Sequence, residues 1–134
     1  MKDARVGYFN IQIAGDLSVY DLARIYALKI LEVNELQPDR ESAVRMISRI
    51  IQSDDDLDVR SHAARASAGF VGVPGALDVA TRLVLDSNED EDTRHNAFFA
   101  IERNMPLPEA VAALVRIRDN PEFGADAGRV LGKF

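Results

Sequence analysis

Apolar residues recur at spacings of three and four along nearly the whole chain after Asp16. That spacing predicts helices with one buried face. Val19, Leu22, Ala23, Tyr26, Ala27, Ile30 and Leu31 form the first stripe, with Ser18 as N-cap and Asp21 in the first turn. Gln37-Pro38-Asp39 ends that helix and opens the next, whose stripe is Ala43, Val44, Ile47, Ile50 and Ile51. Ser53-Asp54-Asp55-Asp56 is a turn rich in N-cap candidates. A helix over about 57–70 turns Val59, Ala63, Ala66 and Phe70 inward. Gly69, Gly72 and Pro74-Gly75 break it, and the next helix begins near Pro74 with Leu77, Ala80, Leu83 and Val84 inward. Helices follow over 91–104 and 108–118, the latter with Val111, Leu114, Val115 and Ile117 apolar. Asn120-Pro121 opens a last helix to about Gly132, with Phe123, Ala127, Val130 and Leu131 inward. The pattern gives seven helices in alternation. Residues 1–15 fit a helical cap or a loose arm, and Tyr8 to Ile13 carries a short hint of β alternation.

The helices repeat. Asp58-Val59-Arg60, Ala63 and Ala66 return 34 residues later as Asp92-Thr93-Arg94, Ala97 and Ala100. Aligning Arg24 with Arg60 places Ala27 on Ala63 and Ile30 on Ala66. Aligning Phe123 with Thr93 places Ala127 on Ala97 and Val130 on Ala100. The second helices agree as well: Ala43, Val44, Ile47 and Ile50 map onto Ala76, Leu77, Ala80 and Leu83, and these onto Ala110, Val111, Leu114 and Ile117. A period of this size means stacked helical units that bury a continuous core between neighbours.

An acidic turn, then a β-branched residue and Arg, then two Ala three apart resembles the HEAT-like repeats, including the short variety of phycobilisome lyases. Asp58-Val59-Arg60-Ser61-His62-Ala63-Ala64-Arg65-Ala66 matches most fully, while the copy over 120–132 has Gly124 in place of Arg. The resemblance spans about residues 18–132. It implies an all-α fold, a right-handed α-solenoid or α-α superhelix of about three to four HEAT-like helix pairs. Residues 16–134 then form a single domain and 1–15 an N-terminal arm or cap. It also implies that Arg24, Arg60 and Arg94 are struts to an acidic loop residue of a neighbouring unit, with Asp56, Asp58, Asp90 and Asp92 as candidates. Such repeats serve scaffolds, inhibitors, lyases and DNA-repair enzymes alike, so the fold leaves the function open.

Composition narrows it. The chain has 134 residues, enough to bury a core without metal or disulfide, and it has no Cys. Thiolate catalysis and Cys-ligated zinc are thereby excluded. No leader-like start and no long apolar run is present, so a cytoplasmic protein with no membrane association is expected. The net charge of −6 suits a basic partner and disfavours nucleic acid. No phosphate loop, GxSxG or HExxH occurs. Asp54, Asp56 and Asp58 have calcium-loop spacing, but Val59 stands where Gly is needed and Arg65 where the bidentate Glu belongs. The series Asn88, Asp90 and Asp92 fails in the same way, and both runs read as helix N-termini. His62 and His95 sit one register apart and make no pair. Neither a metal nor a cofactor is expected.

The candidate partner-binding residues are Arg45, Arg49, Arg82, Arg116 and Arg118, with Phe99. Arg49, Arg82 and Arg116 fill one slot of three successive second helices, which line the concave side in HEAT-like solenoids. Packed neighbours about 8–10 Å apart would set them in a row, open to an acidic loop or a phosphate backbone. The competing reading is a solvated face paired with Glu41, Asp78, Asp86 and Glu109. Phe99 either anchors a partner or packs on the following repeat. Small bacterial immunity proteins that cap a basic toxin are similar in size and charge. The leading expectation is therefore a non-enzymatic protein-binding module, with an accessory or lyase-type subunit handling a cofactor or nucleic acid as the alternative. Val130, Leu131 and Phe134 leave an apolar C-terminal edge compatible with a homodimer.

Overall fold

The acidic turns of the sequence fall between successive helices. In the computed structural model, which describes residues 4–33, 40–53, 56–70, 73 and 75–134, every regular element is helical. In order these are α1 (Ala4–Gly15), α2 (Asp21–Val33), α3 (Arg40–Ser53), α4 (Leu57–Ala66), α5 (Ala76–Leu85), α6 (Glu91–Glu102), α7 (Pro108–Ile117) and α8 (Gly124–Leu131). A 3-10 turn, Ser67–Phe70, extends α4. The described helices number eight, not seven, because Ala4–Gly15 is helical through Tyr8 to Ile13. The expected break at Gln37-Pro38-Asp39, the start at Pro74, and Asp54, Asp55 and Gly72 lie outside the described residues.

α2, α4 and α6 pack side by side in one row. A second row lies against it, α1 on α2, α3 on α4, α5 on α6 and α7 on α8. Within the second row α1 touches α3 and α5 touches α7. The repeat supplies this geometry. Ala63, Ala64, Ala66, Ala97 and Ala100 are all fully buried, and their small side chains let α4 and α6 approach closely. Leu28, Met46, Ile47, Phe70, Val84, Ile101, Leu114 and Ile117 fill the space between the rows.

Three of the connecting turns are built alike. Asp16 accepts the Ser18 amide at 2.9 Å, Asp86 accepts the Asn88 amide at 2.9 Å, and Asn120 accepts the Glu122 amide at 2.9 Å. Each side chain thus closes the turn two residues ahead. Asp56 then caps α4 by accepting the Val59 N–H at 2.9 Å, and Asp90 caps α6 through the Thr93 N–H at 3.1 Å. That N–H is the chief reason the Asp56 carboxyl sits below its ordinary pKa. Ser18 is not a cap: its amide and hydroxyl donate to Asp16, and α2 starts at Asp21. Asn120-Pro121 likewise belongs to the turn, and α8 starts at Gly124.

The repeated arginines tie the two rows together. Arg24 Nε donates to the Ala14 carbonyl at 2.9 Å, Arg60 Nε to Ile51 at 2.9 Å, and Arg94 Nε to Val84 at 3.1 Å. These carbonyls lie in the last turns of α1, α3 and α5, where no intrahelical donor remains. The far edge of the guanidinium reaches forward. Arg60 grips Glu89 with two bonds of 2.8 and 2.6 Å, and Arg94 donates to Glu122 at 2.7 Å. The charge of Arg24 acts on Asp56, one of the expected carboxylates, whereas the carboxylates bonded to Arg60 and Arg94 are Glu89 and Glu122. Asp90 is committed to capping, Asp58 and Asp92 point to solvent from the first turns of α4 and α6, and Glu89 and Glu122 reach the arginines instead. At the last unit Gly124 holds the arginine's place. A Cβ there would overlap the Arg118 carbonyl, so the backbone lies directly against the helix end that an arginine side chain reaches elsewhere.

Candidate functional site

The second row presents the exposed face of α3, α5 and α7. α3 has an apolar stripe toward the core and Arg45 and Arg49 outward. Gly75, with φ of 89°, makes the left-handed turn into α5. Pro108 at the first position of α7 suits its fixed φ to the helix start. Arg82 and Arg116 then emerge from equivalent turns of α5 and α7 with half or more of each side chain in solvent.

α3 and α5 hardly touch among the described residues, and a groove of about 490 Å³ opens between them. Val44, Arg45, Ser48, Arg49, Gln52, Val79 and Arg82 line it, with Gly75 at one end. Three of the five candidate arginines thus converge on one groove, and no carboxylate is among its lining residues that are described. Gln52, Val79 and Arg82 also border an adjoining recess of about 290 Å³, walled by the Arg60–Glu89 pair. The hydrogen bonds from Arg60 hold the Glu89 carboxyl below its ordinary range, so it stays ionised and occupied.

The arginine row is not uniform. Arg116 borders a separate groove of about 340 Å³ between α5 and α7, whose lining includes Asp78 and Glu109. Asp78 accepts from Arg116 Nη1 at 3.2 Å and lies 3.5 Å from Arg82 Nε. One carboxylate therefore bridges two members of the row, and its positive end is the α3/α5 groove. Arg118 caps the C-terminus of α7, lines neither groove, and stands apart from the others. Arg45 donates to Ser42 Oγ at 2.8 Å.

Phe99 packs toward the preceding unit. Its ring is half-buried under the Arg65 guanidinium, 4.1 Å from the centroid, with Arg103 5.7 Å away. Arg65 and Phe99 occupy the same slot of α4 and α6, so neighbouring units stack a cation on a ring. Phe98 is buried beside Phe123, 5.8 Å between centroids. His62 faces the Asp58 carbonyl at 2.8 Å, and His95 lies exposed near Glu91. Among the described residues no three His, Asp or Glu side chains converge, and no helix is long and apolar enough to cross a membrane. Ser48, Gln52, Val44 and Val79 are lining residues that sequence reasoning missed. They share the helix face of Arg45 and Arg49, or of Arg82, at spacings of three and four, which is the signal that would have found them.

No protein-family model, curated protein or solved structure matches the chain.

Proposed function

We propose that the chain is a non-enzymatic protein-binding module, a small α-solenoid of HEAT-like repeats acting in the cytoplasm. Its second-row helices dock an acidic segment of a macromolecular partner. The observation that carries this reading is the α3/α5 groove, where Arg45, Arg49 and Arg82 meet and the described lining holds no carboxylate. In a chain of net charge −6, a local reversal of sign favours an anionic ligand at that place and repels it elsewhere. An open furrow between helices suits an extended peptide. A duplex would bring its phosphates against the acidic remainder of the surface.

That acidic remainder supports a second reading, an immunity-type inhibitor that caps a basic toxin. Fluorescence anisotropy separates the two. The probes are a labelled peptide rich in Glu, its Lys-rich counterpart and a short DNA duplex, each at low and moderate salt. The groove reading expects the acidic peptide to bind, to weaken with salt, and to lose at least tenfold in affinity on Arg49→Glu with Arg82→Glu. Arg118→Glu leaves the affinity unchanged. Binding of the Lys-rich peptide alone would replace the groove by the acidic surface.

A further inference from the structure

The apolar C-terminal edge expected from Val130, Leu131 and Phe134 reduces to Phe134, because Val130 is buried and Leu131 partly so. The charged surface of the second row is organised more closely. Arg82 and Arg116 hold the same slot of α5 and α7, and one carboxylate, Asp78, stands between them. All three side chains are half or more exposed. Asp78 divides its two oxygens between the arginines. Oδ1 accepts a hydrogen bond from Arg116 Nη1 at 3.2 Å. Oδ2 lies 3.5 Å from Arg82 Nε, at ion-pair distance. The shorter contact is therefore the one to α7. Asp78 also lines the α5/α7 groove beside Arg116, and it is absent from the described lining of the α3/α5 groove, where Arg82 stands.

The balance between the two contacts decides how much of the Arg82 charge reaches the α3/α5 groove. Asp78 and Arg82 are four residues apart on one helix, acid first, which is the order in which such a pair attracts best. Without Arg116, the carboxylate has one cation left within reach, and it settles on Arg82. One of the three arginines of the groove is then neutralised from within, and an arriving anion has to displace Asp78. With Arg116 in place, Asp78 is held toward α7, and the contact with Arg82 is the longer one, made at Nε alone. The pairs are exposed and individually weak, so a ligand can compete with them.

We infer that Arg116 and Asp78 together set the affinity of the α3/α5 groove for an acidic peptide, Arg116 holding Asp78 off Arg82 so that Arg82 stays available to the ligand. Arg116 is a positioning residue that acts through Asp78. The inference rests on the groove reading above and adds the regulation of that site. It accounts for an arginine that keeps the register of the row, lies outside the α3/α5 groove and is bonded to a carboxylate of the neighbouring helix.

A double-mutant cycle tests it, read by fluorescence anisotropy with the labelled Glu-rich peptide at low salt. Arg116→Ala is expected to weaken binding about threefold and Asp78→Asn to strengthen it about threefold, the scale of one exposed ion pair. In the Asp78→Asn background, Arg116→Ala has no further effect, because no carboxylate remains to be held. Arg116→Lys restores most of the affinity lost in Arg116→Ala, since a single bond to one oxygen needs a cation but not the guanidinium fork. Arg118→Ala removes the same charge from the end of α7 and leaves the affinity unchanged. Equal weakening by Arg116→Ala in both backgrounds would mean that Arg116 touches the peptide or acts by charge alone. That result would overturn the inference and leave the groove reading in place, as would an Asp78→Asn variant that binds no tighter than the wild type. If neither the wild type nor Asp78→Asn binds the peptide, the groove reading falls and the inference with it.

Discussion

Glu89 accepts two hydrogen bonds from Arg60, and only 11% of its side chain meets solvent. Those bonds hold its folded pKa below the ordinary 4.5. A lowered folded pKa means that the pair's full contribution is present above about 4.5. It is then lost as pH falls through the depressed value. Glu89→Gln keeps the shape and removes the charge, and it is expected to cost about 1.5–3 kcal/mol at pH 7. Urea midpoints of both proteins from pH 7 to pH 2.5 check this: the gap should narrow below 4.5, and a constant gap would mean the charge is not what matters. That Arg60 is a strut was legible in the sequence; that Glu89 meets it was not. Asp58 and Asp92 recur in register and look like the partners, yet both are exposed in the first turns of α4 and α6. Glu89 lies three residues before the Asp92 position whereas Glu122 stands in the equivalent position itself, so the two differ in register and spacing hides them. Phe99 was hidden in a different way, because its cover is a cation from the same slot one unit back.

Helices reveal which of these local rules dominate. In α8, Gly124 abuts the Arg118 carbonyl, while Gly128 has open space where a Cβ would go. Gly124→Ala is expected to destabilise by about 1–3 kcal/mol as the turn is forced apart. Gly128→Ala is expected to stabilise by about 0.5–1 kcal/mol through the lower entropy of the unfolded chain. Paired thermal and urea melts decide, and equal signs for the two would refute the contact. The stripes of α3, α4, α5 and α8 were legible because each has neighbours on the side its pattern indicates. α2 was not. Its apolar residues Leu22, Ala23 and Tyr26 read as core but are exposed, while Arg24 is buried among them. The period records which face would pack inside a series, and among the described helices α2 has a first-row neighbour only on the α4 side. α7 shows the same effect at Val115, which is exposed although its stripe is regular.

Across the whole molecule, stability should grade with the number of packed neighbours. α4 lies against α2, α3, α6 and the 3-10 turn, whereas α8 packs chiefly on α7. Native-state hydrogen exchange is expected to find α4 amides opening only in global unfolding, with α8 amides at least tenfold faster. Equal protection would mean one indivisible unit. The repeat made the helical class and the order of helices legible. The α3/α5 groove was only half legible, because a row of equivalent arginines says nothing of where the helices part or where Asp78 neutralises the row. The residue at the strut position has a consequence beyond stability. Arginine there holds the helix end behind it, and in the two interior units it also reaches the loop ahead, so it joins one unit to the next. Glycine at that position has no side chain to reach with, and the backbone closes directly on the Arg118 carbonyl.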